Sequence, residues 1–222
     1  MNSQKNEPQS RRELKTRNRA WAQQLGRMLS NAGVSPNFVS LLSIAFSAMV
    51  TLSLYFYYLG PSPAWLLLGA AGIQLRLLCN LMDGLIAIEG RKKSPVGDLY
   101  NDIPDRIADV LIIVGIGLAI RDQNWAMELA WLCSIGAVLS AYLRYVGASL
   151  LGEHRYLGPQ AKQHRMALCT VALLITATVH YFSLNPANVL LMALYLMFFG
   201  IIITCVRRTL WISQALKKRK LQ

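Results

Sequence analysis

Two stretches of this chain place carboxylates and amides inside otherwise apolar runs. The first ends Asn80-Leu81-Met82-Asp83-Gly84-Leu85-Ile86-Ala87, and the second begins Gly97-Asp98-Leu99-Tyr100-Asn101-Asp102-Ile103-Pro104-Asp105-Arg106-Ile107-Ala108-Asp109. An aspartate at mid-membrane costs about 2.5–3.5 kcal/mol on insertion scales, so Asp83, Asp102, Asp105 and Asp109 require partners or a purpose. On a helix, Asn80, Asp83 and Ala87 share one face at i, i+3 and i+7. Gly97, Asn101, Asp105 and Asp109 share another at successive i+4 steps. A short loop joins the two helices, which makes them antiparallel neighbours whose faces can meet in a pocket of oxygen donors. Such donors suit Mg²⁺, Mn²⁺ or Ca²⁺ rather than zinc. The glycines and Ala87 leave room for a flat or bulky ligand to approach the backbone. A plainer reading neutralises the carboxylates with Arg76, Arg106 and Arg144. Asp98, Asp102 and Arg106, at i, i+4 and i+8, form one such stripe.

The elements that must position these residues follow from composition. Of 222 residues, 54% are hydrophobic and 15% charged, against about 25% charged in a soluble domain. The charges fall in short blocks between apolar stretches near the roughly 20 residues that cross a bilayer core. Spans are expected near 37–59, 64–88, 98–120, 125–150, 166–183 and 187–206. The predicted fold is an all-α integral membrane protein with six transmembrane helices. Residues 1–34 are read as a disordered tail followed by an interfacial amphipathic helix that begins near Ser10. That helix carries Leu14, Trp21, Leu25 and Met28 on one face, with Arg12, Lys15, Arg19 and Arg27 around the rest. Residues 35–208 form the expected transmembrane domain and 209–222 a basic tail.

The net charge of +12 could suggest nucleic acid, but its distribution argues against that partner. Seven of the 23 Lys and Arg precede residue 30, six follow residue 206, three lie at 91–93 and three at 155–165. These are the two flanks and alternate loops, so the positive-inside rule puts both termini and the motif end in the cytoplasm. Anionic lipid is a compatible partner for the same residues. Cys79, Cys133, Cys169 and Cys205 each fall inside an apolar run without metal-ligand spacing, and they are read as packing residues. His154, His164 and His180 show no paired spacing. The first 30 residues, polar and basic, show no cleavable signal peptide.

At the polar residues the chain resembles the CDP-alcohol phosphotransferase family, six-helix membrane enzymes of phospholipid synthesis. The family motif reads D-x2-D-G-x2-A-R, eight residues, then G-x3-D-x3-D. Here the string is Asn80-x2-Asp83-Gly84-x2-Ala87-Ile88, eight residues, then Gly97-x3-Asn101-x3-Asp105. The spacing matches at every step, while Asn80 and Asn101 replace two aspartates and Ile88 replaces the arginine. The likeness extends to Ser35-Pro36-Asn37 at the start of the first span and to Ser94 in the loop.

The resemblance implies that Asn80, Asp83, Asn101 and Asp105 ligate one or two Mg²⁺ or Mn²⁺ ions. It makes Asp105 the general base, and it assigns Ser35, Pro36, Asn37, Gly84, Ala87, Ser94 and Gly97 to the CDP-alcohol. It gives Arg144, Lys162 and Arg165 to an acceptor's phosphate, and Arg91 is a candidate replacement for the missing arginine. The implied reaction is attack of an acceptor hydroxyl on the β-phosphorus of a CDP-alcohol, with CDP-diacylglycerol expected as donor, releasing CMP. A homodimer in a bacterial inner membrane or its equivalent is the expected setting. Two other readings stand beside it. The asparagines suggest a catalytically silent relative that binds a CDP-lipid, and ionisable residues inside helices suggest a small transporter.

Overall fold

The computed structural model describes residues 19–89, 96–153, 155–182 and 185–220. Among them the chain forms seven helices: α1 (Ala20–Asn31), α2 (Pro36–Leu59), α3 (Pro63–Glu89), α4 (Gly97–Ala119), α5 (Ala126–Leu151), α6 (Lys162–Tyr181) and α7 (Ala187–Lys220). The six long helices start and stop close to the expected runs at α2 to α5. α6 begins four residues early, at Lys162, and α7 continues fourteen residues past the expected 206. Both differences have one cause: polar and basic residues at a membrane boundary end an apolar run without ending a helix.

Local chemistry sets the ends. Ser35 caps α2 by accepting from the Phe38 amide at 3.1 Å, and Pro36 occupies the first turn, where its missing N–H costs nothing. Gly60 ends the helix, and Pro61 and Pro63 follow within three residues. Gly152 closes α5 in the left-handed region, with φ at 74°, a conformation that penalises a side chain.

α2, α3, α5 and α7 are long and apolar enough to cross a membrane, and the chain is an integral membrane protein. α4 and α6 fall outside that group: α4 carries Asp98, Asp102, Asp105, Arg106 and Asp109, and α6 opens on the polar run Lys162, Gln163, His164 and Arg165. The apolar core is continuous from Leu54 and Ile73 through Ile112, Ile113 and Ile116 to Leu173, Leu190 and Met197. α2 packs on α3 and α4, α3 on α6, α4 on α5, and α5 on α7. Many large side chains on the outside, such as Leu52, Phe56, Ile135 and Phe199, are exposed, as lipid-facing residues are.

α1 lies against α3 through a face of small residues beside the apolar face read from the sequence. Ala22 is buried, Gly26 approaches Leu85, and Leu25 and Leu29 pack on the same small cluster, while Trp21 and Met28 face outward. Small residues allow the helix axis to come close to α3, which a tryptophan-led face would prevent. The part of the expected amphipathic helix before Arg19 lies outside the described residues. The basic residues from Arg207 onward lie on the last turns of α7. All four cysteines are free, with Cys79, Cys133 and Cys169 buried and Cys205 partly so.

Candidate active site

The carboxylates of α3 and α4 gather at one end of the bundle, where the second half of α3, the first half of α4 and the start of α6 meet. Asp83 is 6% exposed and Asp105 4% exposed. Ser40 of α2 donates its hydroxyl to Asp83 Oδ2 at 2.8 Å. Asn80, one turn earlier on α3, has a buried Nδ2 without a hydrogen-bond partner. Gly84 is buried beside them, with Ala87 and Gly97 partly buried, and Ile88 turns outward. Ser35, Pro36 and Asn37 form the first turn of α2 at this same end, next to Ser40. Ser94, Arg91 and His154 lie outside the described residues.

Asp105 is surrounded by cations. Arg76 Nη2 of α3 lies 3.4 Å from Oδ1 and also reaches the Asp105 carbonyl oxygen at 3.3 Å. The Lys162 ammonium, from the first turn of α6, pairs with Oδ2, and Arg106 stands 3.9 Å from the same atom. One turn further along α4, Asp109 is fully paired: Arg76 meets Oδ1 at 2.6 Å and Arg165 meets Oδ2 at 2.7 Å. Arg76, with no solvent exposure, therefore ties both aspartates to α3.

The three basic residues expected at an acceptor's phosphate occupy different settings. Arg165 is buried, and besides Asp109 it donates to Ser140 Oγ and the Gln160 carbonyl. The Lys162 and Arg144 side chains keep 25% and 18% exposure. Arg144 lies 3.4 Å from Asp102 and over the rings of Tyr145 and Tyr156. Asp102 also meets Arg106 at 3.8 Å, the i, i+4 contact of the stripe read from sequence.

Sequence reasoning passed over two residues near this site. Ser40 was hidden in an apolar run, although Ser40, Ser43 and Ser47 repeat at helical spacing. Arg208 was counted with the basic terminus, but it is buried and donates to the carbonyls of Leu157 and Ser140, tying α7 to α5 and to the loop before α6. No spacing signal separates it from the basic residues around it.

The donor chemistry decides whether a cation fits. Among the described residues no three His, Cys, Asp or Glu side chains come together as a ligand group. A cation here would therefore need the amide oxygens of Asn80 and Asn101 beside the carboxylates. The orphaned Asn80 nitrogen agrees with that: the two ends of an amide are interchangeable in shape, and turning it presents an oxygen where the nitrogen finds no acceptor. An all-oxygen set of two carboxylates and two amides fits a hard divalent ion.

Comparison with known proteins bears on the fold and the family. Cholinephosphotransferase 1 of Rattus norvegicus is 26% identical over 150 residues, covering 64% of this chain and 37% of the relative, so the chain spans little more than a third of that protein's length. Phosphatidylinositol phosphate synthase of Mycobacterium tuberculosis with CDP-DAG bound superposes with a TM-score of 0.73 at 20% identity, covering 86% of this chain and 92% of the other. The same enzyme with manganese and citrate gives 0.72 at 20% identity, covering 86% and 88%. These structures share the fold. The family model for CDP-alcohol phosphatidyltransferase matches residues 33–213, a span that contains every described site residue named above, and the chain belongs to that family.

Proposed function

We propose that this chain transfers a phosphatidyl group from CDP-diacylglycerol to an acceptor hydroxyl and releases CMP. The observation that carries the reading is the placement of Asp83 and Asp105, both buried, at the motif spacing on two neighbouring helices of a membrane protein. Burying carboxylates inside apolar helices is costly, and sites that keep them are functional by default. Among the described residues the buried Asp and Arg side chains all lie at this one end, while α4 continues beyond Asp109 through buried Ile112, Ile113 and Ile116. That arrangement disfavours a transport path, which needs polar groups through the full depth.

In this reading the acceptor oxygen forms a bond to the β-phosphorus, the bond from that phosphorus to the bridging oxygen breaks, and CMP leaves. Asp105 accepts the hydroxyl proton. Asn80, Asp83, Asn101 and Asp105 would hold Mg²⁺ or Mn²⁺, which when bound neutralises charge on the pyrophosphate. Gly84, Ala87 and Gly97, with Ser35, Pro36 and Asn37, line the place for the nucleotide, and the motif spacing assigns Ser94 to the same ligand. Lys162 and Arg144, both partly exposed, receive an anionic group on the acceptor, and Arg165 holds Asp109 beneath them. Charge neutralisation and positioning would supply most of the acceleration.

The setting we propose is six spans, α2 to α7, with both termini and the motif end in the cytoplasm. It is supported by the basic clusters at the termini, at 91–93 and at 155–165. Residues 1–34 then form a tail and an interfacial helix, 35–208 the catalytic domain, and 209–222 a basic tail. The active form is a homodimer.

The test is CMP release by the purified chain in Mg²⁺ or Mn²⁺ with a pool of hydroxyl acceptors, CDP-diacylglycerol being compared with CDP-choline. Release from the lipid donor alone supports the reading, and release from CDP-choline alone replaces the donor. Binding of the CDP-lipid without release would favour the silent relative, a reading that Asn80 and Asn101 motivate.

A further inference from the structure

At the end of the bundle away from the motif, residues of α2, α4, α6 and α7 line a cavity of about 440 Å³. Tyr57, Ala119 and Ile120, all buried, form its floor, and Tyr58, His180 and the exposed Asp122 stand around them. The volume falls in the range of small-molecule sites, about 300–1,000 Å³. Two neighbouring residues here carry opposite charges and are held apart. The Arg121 guanidinium carbon lies 4.2 Å from the centre of the Tyr58 ring, and the Tyr58 hydroxyl donates to Asp122 Oδ1 at 3.2 Å. One tyrosine thus takes the cation on its face and the anion at its tip. Neither charge forms an ion pair among the described residues. At the same end Trp125, Tyr181 and Phe182 are exposed where their helices begin or stop. Large aromatic side chains left open at helix ends mark the headgroup level of a bilayer.

We propose that this cavity binds the headgroup of a zwitterionic phospholipid, with its ammonium on Asp122 among the aromatic rings and its phosphate on Arg121. An organic cation beside a carboxylate and tyrosine rings is held by both charge and the ring quadrupole. A guanidinium at the membrane surface matches the oxygens of a phosphate. The two charges of one headgroup are joined by a short ethylene link, so they need opposite charges side by side, which Arg121 and Asp122 supply. An anionic lipid offers Arg121 the same phosphate but brings no cation to Asp122. The site shares no residue with the carboxylate cluster of α3 and α4, and a lipid held there would tie together the far ends of four helices.

The test titrates the purified full chain in detergent with dihexanoyl phosphatidylethanolamine below its micelle concentration. Thermal unfolding reports binding, because a ligand of the folded chain raises Tm, and native mass spectrometry counts the bound lipid. One lipid per chain is expected. It should bind at least about tenfold tighter than dihexanoyl phosphatidylglycerol, which has the phosphate without the ammonium. Asp122→Asn should bring phosphatidylethanolamine down to the level of phosphatidylglycerol, and Arg121→Gln should weaken both. Ala187→Phe, which fills the cavity from the start of α7, should abolish both; if that protein fails to fold, the exposed Asp122→Asn change still decides. Equal binding of the two lipids, or full phosphatidylethanolamine binding by Asp122→Asn, would overturn the proposal. An equal Tm shift from free ethanolamine at the same concentration would overturn it too, by making the site one for a soluble amine. None of these readouts needs turnover, and Asp122→Asn should release CMP as the wild type does, so this proposal and the transferase reading fail separately.

Discussion

At the motif end of the bundle, Asp109 lies at 1% exposure between Arg76 and Arg165. At the opposite end, Tyr58 donates to an exposed Asp122 at 3.2 Å, and Tyr57 meets His180 at 3.3 Å beside a cavity of about 440 Å³. Both ends carry aromatic and ionisable groups. What differs is whether water can take a partner's place. At the exposed Tyr58–Asp122 pair solvent can replace a lost hydrogen bond, so that pair adds little to stability. At the motif end an unpaired charge would stay buried, so each pair is required by the others even where its net contribution is small. Such a network is retained for what it positions.

That contrast can be broken first at the site itself. Asp105→Asn should lower CMP release about 10²–10⁴-fold, the range for a lost general base, measured with saturating donor and metal. The Asp105→Asn protein should still bind CDP-diacylglycerol. Equal loss of binding and turnover would make Asp105 a structural residue like Asp109.

Asp109→Asn should cost about 3–5 kcal/mol in detergent unfolding, because the Arg76 and Arg165 guanidiniums are left facing a neutral amide. Pairing it with Arg165→Met sharpens the point. If the network is a charge balance, the second change should recover part of the loss, and no recovery would mean that Asp109 acts through packing.

Packing is what should hold the helices together toward the far end, where α4 meets α5. A Cβ on Gly117 would come within 2.6 Å of Ala130 Cβ and 3.2 Å of Met127 Sδ. Gly117→Ala should therefore cost about 1–3 kcal/mol through overpacking, read from the same unfolding assay. A smaller loss would mean that α4 and α5 can slide apart at this end.

These effects also show which parts of the structure could be read in the sequence. Helix positions were legible because an apolar run near 20 residues has few alternatives, and the α2 start was marked by Ser35-Pro36. The meeting of α3 and α4 at the polar end followed from the short connection and from two helical stripes of polar residues, although each of the two packs chiefly on α2. The partners of those residues were less accessible. Arg76 stood out as a lone cation in an apolar run, but choosing between Asp105 and Asp109, and finding that it takes both, needs the packing of α3 on α4. The Lys162–Asp105 pair joins residues 57 apart in sequence through the docking of α6 on α3, which no periodicity encodes. Ser40 and Arg208 were missed because their surroundings in sequence, an apolar run and a basic run, hid what burial makes of them. The docking of α1 had no sequence signal of its own: Trp21 and Met28 stay outward, and the helix packs on α3 through Ala22 and Gly26.

The smallest expected effect lies at the far end, and it tests whether that end is as forgiving as its exposure implies. Tyr58→Phe removes the hydroxyl that donates to Asp122 and leaves the ring beneath the Arg121 guanidinium, whose carbon lies 4.2 Å from its centroid. Asp122 is exposed, so water can take up the lost donor, and the cation–π contact survives on phenylalanine. The change should cost less than about 1 kcal/mol in unfolding, in line with other exposed polar pairs. A loss near that of Asp109→Asn would mean that the membrane or a second chain covers this surface, and that the far end, like the motif end, must satisfy its polar groups from within.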